Sequence, residues 1–172
     1  MQNNTKEERW LSGPIPNISP ILQPAAHALL QSKDELAVYL KDFPDALLWE
    51  QPSGRASVGF HAQHIAGVLD RMLTYSLRYG NLLSEEQYQY LKVEGIKNEA
   101  ITVEQLVYNF NKKVEEALDY FKSIDESVLL EARTVGRKKL PSTVLGLLFH
   151  AAEHSQRHIG QLLVTVSVLL KK

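Results

Sequence analysis

At 172 residues, 44% hydrophobic and 23% charged, the chain has the size and composition of one globular domain with a sizeable core. Its 19 basic and 20 acidic residues give a formal charge of -1, so no global attraction to nucleic acid is expected. Cysteine is absent, which excludes disulfides, thiolate nucleophiles and Cys-ligated metal sites.

The stretch Met1 to Trp10 is polar and charged and lacks an apolar signal-peptide core, so cytoplasm is the expected location. Pro14, Pro16, Pro20 and Pro24 forbid a long helix before Pro24. Residues 1–23 are expected to wrap the domain, with Trp10 as a buried anchor. A first helix is predicted from Pro24 or Ala25 to Lys41, with Pro44 just beyond it. A linker over 42–56 ends in the turn Gln51-Pro52-Ser53-Gly54-Arg55.

The second helix is predicted from about Ser57, a good N-cap, to Tyr79, with Gly80-Asn81 as its stop. Residues 81–101 form a long excursion in which Ser84-Glu85-Glu86-Gln87 reads as a capping box. A second box, Thr102-Val103-Glu104-Gln105, opens a third helix through Val107, Phe110, Val114, Leu118 and Phe121. Asp125 to Pro141 reads as loop-rich with a turn at Gly136, and Arg137-Lys138-Lys139 as a solvated basic run. The fourth helix is predicted from near Ser142 to Leu170 and is greasy on nearly all sides, which suits a bundle interior or a subunit interface. Its apolar end, Leu162 to Leu170, is too short to span a bilayer, so no membrane insertion is expected. Four main helices with little strand signal predict an all-α four-helix bundle, with residues 1–172 as one domain.

Five of the six histidines fall in two groups. One is Phe60-His61-Ala62-Gln63-His64 and the other runs from His150 through His154 to His158. At about 100° per residue, His150, His154 and His158 share a stripe about 80° wide. On the second helix Phe60, His64, Val68, Arg71 and Tyr75 share a face, with His61 at its edge. Both stripes are largely apolar and should point into the bundle, where each ring nitrogen needs a partner. A shared cation meets that need, and three nitrogen ligands leave positions open for water or substrate. Five histidines compete for about three places. The pair His154/His158 and then His64 are preferred, while His61 and His150 remain as supporting groups, pocket donors or further ligands. Imidazole suits zinc, nickel and iron alike.

The motifs Phe60-His61-Ala62-Gln63-His64-Ile65-Ala66 and Glu153-His154-Ser155-Gln156-Arg157-His158-Ile159-Gly160-Gln161-Leu162 resemble the DinB/YfiT-like metalloenzyme superfamily. The resemblance covers the chain from about Trp10 to Leu170. It implies a bundle of up-down-down-up connectivity and a metal held by His64, His154 and His158. It also implies metal-dependent transfer or isomerisation chemistry with a low-molecular-weight thiol, and a homodimer.

Three functions remain in view. The first is a metal-dependent transferase using an external small thiol, with Arg71 holding a substrate carboxylate. The second is a metal-dependent hydrolase of a small molecule, with His61 or His150 moving protons. The third is a non-enzymatic metal- or ligand-binding protein, which a buried site without a pocket would favour. Glu153 points beside the site and is expected to pair with Arg157, four residues on.

Overall fold

The computed structural model describes residues 7–77, 89, 97–98 and 100–171. Its four main helices are α1 (Gln23–Tyr39), α2 (Val58–Leu77), α3 (Val103–Ser123) and α4 (Val144–Leu170). Tyr79, the stop at Gly80-Asn81 and the box at Ser84–Gln87 lie outside the described residues.

Local chemistry accounts for the helix starts. Pro24 sits in the first turn of α1, where its missing N–H costs nothing. Ser57 caps α2 by accepting from the Phe60 amide at 3.1 Å. The Thr102/Gln105 capping box is present in both directions at α3. Helix α4 starts at Val144, two residues later than predicted, because Thr143 is the cap and accepts from the Gly146 amide at 3.0 Å.

Helices α1 and α2 do not form a neighbouring pair. Each packs instead against both α3 and α4, so α1 lies across the bundle from α2, and α3 from α4. The directions follow from contacts along their lengths. Ser19 meets Glu126 at one end of the α1/α3 pair, Lys33 meets Glu115 at 2.7 Å midway, and Asp45 accepts from the Val103 amide at 2.7 Å at the other end. That pair is antiparallel. Trp49, ahead of α2, donates to the carbonyl of Asn98, ahead of α3, at 3.1 Å, and Lys113 meets Asp70 at 2.9 Å, so α2 and α3 run together. His61 meets His158 and His64 meets His154, so α2 and α4 are antiparallel. The connectivity is therefore up-down-down-up.

Two expectations are corrected. Trp10 is no buried anchor, being 64% exposed. The preceding residue does the anchoring: Arg9 grips Asp34 with two bonds of 2.6 and 3.0 Å, and its amide donates to Gln31 at 2.9 Å. Further along the segment, Ile18 and Leu22 are buried and His27 holds the Gly13 carbonyl at 3.0 Å. The second correction lies between α3 and α4. A stretch read as loop forms an antiparallel hairpin, β1 (Ala132–Val135) with β2 (Leu140–Thr143), in which Thr134 opposes Pro141. Proline is tolerated there because a two-stranded ribbon has only edge strands. Buried Arg133 ties the hairpin to α2 by donating from Nε to the Ser76 carbonyl at 2.9 Å.

The interior is continuous across all four helices and includes Phe110, Phe121, Leu36, Ile65 and Leu148, each almost fully buried. Phe110→Ala should cost about 3–5 kcal/mol of stability and Thr102→Ala about 1 kcal/mol. Urea unfolding of the two variants checks both values and their order.

Candidate metal centre

The site begins with a close backbone approach. Gly59 donates from its amide to the Leu48 carbonyl at 2.7 Å. A Cβ there would sit 3.0 Å from that oxygen and 3.1 Å from the Trp49 ring. Glycine thus lets the segment before α2 lie against the first turn of the helix. The next residues, Phe60 and His61, start the histidine face.

Antiparallel packing sets that face against His154 and His158. His64 Nε2 lies 3.0 Å from His154 Nε2, and His61 Nδ1 lies 2.9 Å from His158 Nδ1. Ring centroids are 4.4 Å apart for His154 and His158, and 4.6 Å for His64 and His158. One nitrogen each from His64, His154 and His158 falls within 4.8 Å of the other two. Phe60 stacks on His64 at 5.1 Å and 13°, which orients that ring.

The other expected residues lie around this triad. His61 is buried and stands behind His158. His150 is set one turn back towards the rim, its side chain 45% exposed, and meets Glu153 at 2.7 Å. Glu153 also accepts from Arg157 Nη2 at 3.1 Å. His150, Glu153 and His154 form a second group of ligand-type atoms within 4.8 Å of one another. Arg71 lies close enough to His64 to disfavour its protonation.

Hydrogen-bond roles define the protons. Arg157 Nη2 also approaches His154 Nδ1 at 2.9 Å, and a guanidinium can only donate. His154 therefore carries its proton on Nε2 and donates it to His64 Nε2, whose own proton is on Nδ1. The rings are held neutral. Burial first, and then neighbouring imidazoles, push His61, His64 and His154 down to about 4; Arg71 adds to this at His64 and Arg157 at His154, where Glu153 opposes it. His158 is lowered by burial and by Arg157, against the opposing pull of Glu153.

A cavity of about 910 Å³ is reached from this group through His61 and Arg157, which touch His158 and His154 and stand in its wall; among the described residues none of the triad itself lines it. Arg55, Gln161, Val164 and Val168 line it too. The spacing of the histidines does not reveal this pocket. Arg55 had read as part of a turn and Arg157 as an ion-pair partner; their joint position depends on the loop before α2 meeting α4. Among the described residues, neither Arg71 nor His150 lines the cavity.

Four such helices, with histidines facing across an antiparallel pair, make the chain a helical bundle with a half-buried metal-type donor set between α2 and α4. The chain belongs to the DinB superfamily, whose family model matches residues 28–162. It is similar in fold to YfiT from Bacillus subtilis, described as a probable metal-dependent hydrolase with an unusual four-helix bundle topology. The two share 15% identity with a TM-score of 0.58, over 92% of this chain and 93% of the other. No curated protein matches the chain. Among the described residues, no helix is long and apolar enough to cross a membrane.

The depressed imidazoles carry a pH signature. In metal-free protein His61, His64 and His154 should titrate near pH 4 by NMR, against the ordinary 6.5. As pH falls below 6.5 the unfolded chain takes up protons that the fold refuses. Stability present above pH 6.5 is therefore lost progressively down to about pH 4 and levels off below it. Urea unfolding at pH 7, 5.5 and 4 measures this. Histidine resonances titrating at the ordinary value would remove the neutral-ring description.

Proposed function

We propose that this chain is a divalent-metal-dependent hydrolase of a small molecule, with His64, His154 and His158 as the metal ligands. The observation that carries this reading is the convergence of three imidazole nitrogens within 4.8 Å, with His61 and Arg157 linking them to a cavity of about 910 Å³. The description of YfiT as a probable metal-dependent hydrolase supports the same reaction class.

The donor set fits such an ion. Neutral imidazoles offer lone pairs at neutral pH without first losing protons. The 3.0 Å between His64 and His154 Nε2 is near the edge of about 3.3 Å that follows from tetrahedral zinc–nitrogen bonds of about 2.05 Å. Loading through His154 Nε2 needs a proton on Nδ1, which cannot accept from Arg157, so that guanidinium contact must be released. A bound zinc, nickel or iron ion would supply Lewis-acid activation of water and polarise the bond to be cleaved.

The chain's own residues divide the remaining work. His61 positions His158 through the Nδ1–Nδ1 hydrogen bond, fixing its ring and tautomer. His150, paired with Glu153 at the rim, is placed to pass protons to solvent. Burial and the neighbouring imidazoles keep His64 unprotonated and so available as a donor, and Arg71 adds to their effect. The protein is read as acting in the cytoplasm as a homodimer.

A second reading, transfer to or from a low-molecular-weight thiol, draws on the size of the cavity and the absence of any cysteine in the chain. The thiol would then be an external cosubstrate. A purely structural metal site is the less favoured reading, because His61 and Arg157, in contact with His158 and His154, extend from the donor set into a cavity wall.

Purified protein should bind one divalent metal per chain. The double variant His154→Ala/His158→Ala should lose binding by more than about 100-fold in a chelator-competition titration, and undiminished binding would sink the assignment. His61→Ala should lower affinity by about 10–100-fold, with partial recovery in His61→Gln, which keeps a hydrogen-bond partner for His158. Hydrolase activity should vanish on verified chelation and return with metal.

A further inference from the structure

We infer that the cavity beside the triad selects a small organic acid, its carboxylate held by Arg55 and Arg157 and its apolar body laid against Val164 and Val168. This names a substrate class for the proposed reaction centre and rests on that reading.

The charge of the cavity wall points this way. Among the described lining residues there are two arginines and no carboxylate. The Arg55 guanidinium has no ion-pair or hydrogen-bond partner among the described residues. Both bonds made by Arg157 leave from Nη2, so its Nε and Nη1 protons remain uncommitted among the described residues. A guanidinium with two adjacent N–H groups available is matched in shape to a carboxylate.

Local backbone places Arg55. Ser53 (φ 52°) and Gly54 (φ 70°) are both left-handed, and the Arg55 amide closes the turn on the Pro52 carbonyl at 3.0 Å.

The rest of the wall sets the body of the ligand. Pro52, Ala56, Val164 and Val168 supply apolar surface, and Gln161 a neutral polar group. Val164 and Val168 are 64% and 56% exposed, so the ligand would cover surface that the fold leaves wet. A volume of about 910 Å³ suits a compact small molecule rather than a polymer.

The test compares octanoate with octanamide, which differ chiefly in charge, by titration calorimetry on chelator-treated and zinc-loaded protein. Chelator-treated wild type should bind octanoate at least about tenfold more tightly than octanamide. Arg55→Gln and Arg157→Gln should each cut that preference about threefold or more, and the double variant should abolish it. Val164→Trp, filling the apolar wall, should weaken both ligands alike. Circular dichroism confirms that each variant is folded. Equal binding of acid and amide by wild type overturns the inference. So does a preference that survives in the double variant or appears only with zinc, since the cation then holds the acid; in that last case the triad reading stands. An arginine-dependent preference in a chain whose triad binds no metal supports the cavity chemistry and defeats the triad reading instead.

Discussion

Imidazoles sunk between two helices must find a partner for every ring nitrogen, and the antiparallel run of α2 against α4 decides which partners they meet. Position 61 faces position 158, and position 64 faces position 154. With α2 and α4 parallel, the same residues would be offset along the axis and could not make these two pairings together. Burial then does the electrostatic work. It penalises the imidazolium form, and the neighbouring imidazoles and guanidinium groups add to that penalty at His64 and His154. Several histidines can therefore crowd into a few ångströms because none of them needs to be charged.

The rest of the bundle holds this contact in register. Helices α1 and α3 flank α2 and α4 without entering the donor set, and ion pairs such as Lys33–Glu115 and Lys113–Asp70 join them at their surfaces. The hairpin before α4 is fastened to α2 by Arg133, a buried cation that donates to the Ser76 carbonyl. At the other end of α2, Gly59 admits the preceding segment, and the turn carrying Arg55 comes with it. The cavity lies between that turn and α4, which is why its wall draws on residues about a hundred positions apart.

Arg157 belongs to both parts of the site. It donates to the proton-free nitrogen of His154, pairs with Glu153 and lines the cavity. Membership of the DinB superfamily accounts for the bundle, whereas the chemistry follows from side chains placed on it. A ligand-type triad, a buried histidine bonded to one of its members and an arginine that touches both the triad and the pocket make a more specific arrangement than histidine spacing alone.

Much of the bundle was legible locally. Capping chemistry at Ser57 and Thr102, apolar repeats at three-to-four spacing and the four-residue spacing of His154 and His158 are properties of short segments, independent of what packs against them. Trp10 and the hairpin were misread for the opposite reason. A large apolar ring is buried only if some surface is offered to it, and a short strand containing Pro141 declares itself only through its partner. Thus the sequence by itself determined the four helices and the faces on which the histidines lie, because helical periodicity is a local constraint. Only the tertiary structure decided that His64 meets His154, that His61 stands behind His158 and that Arg55 and Arg157 share one cavity, because those distances depend on how distant segments pack.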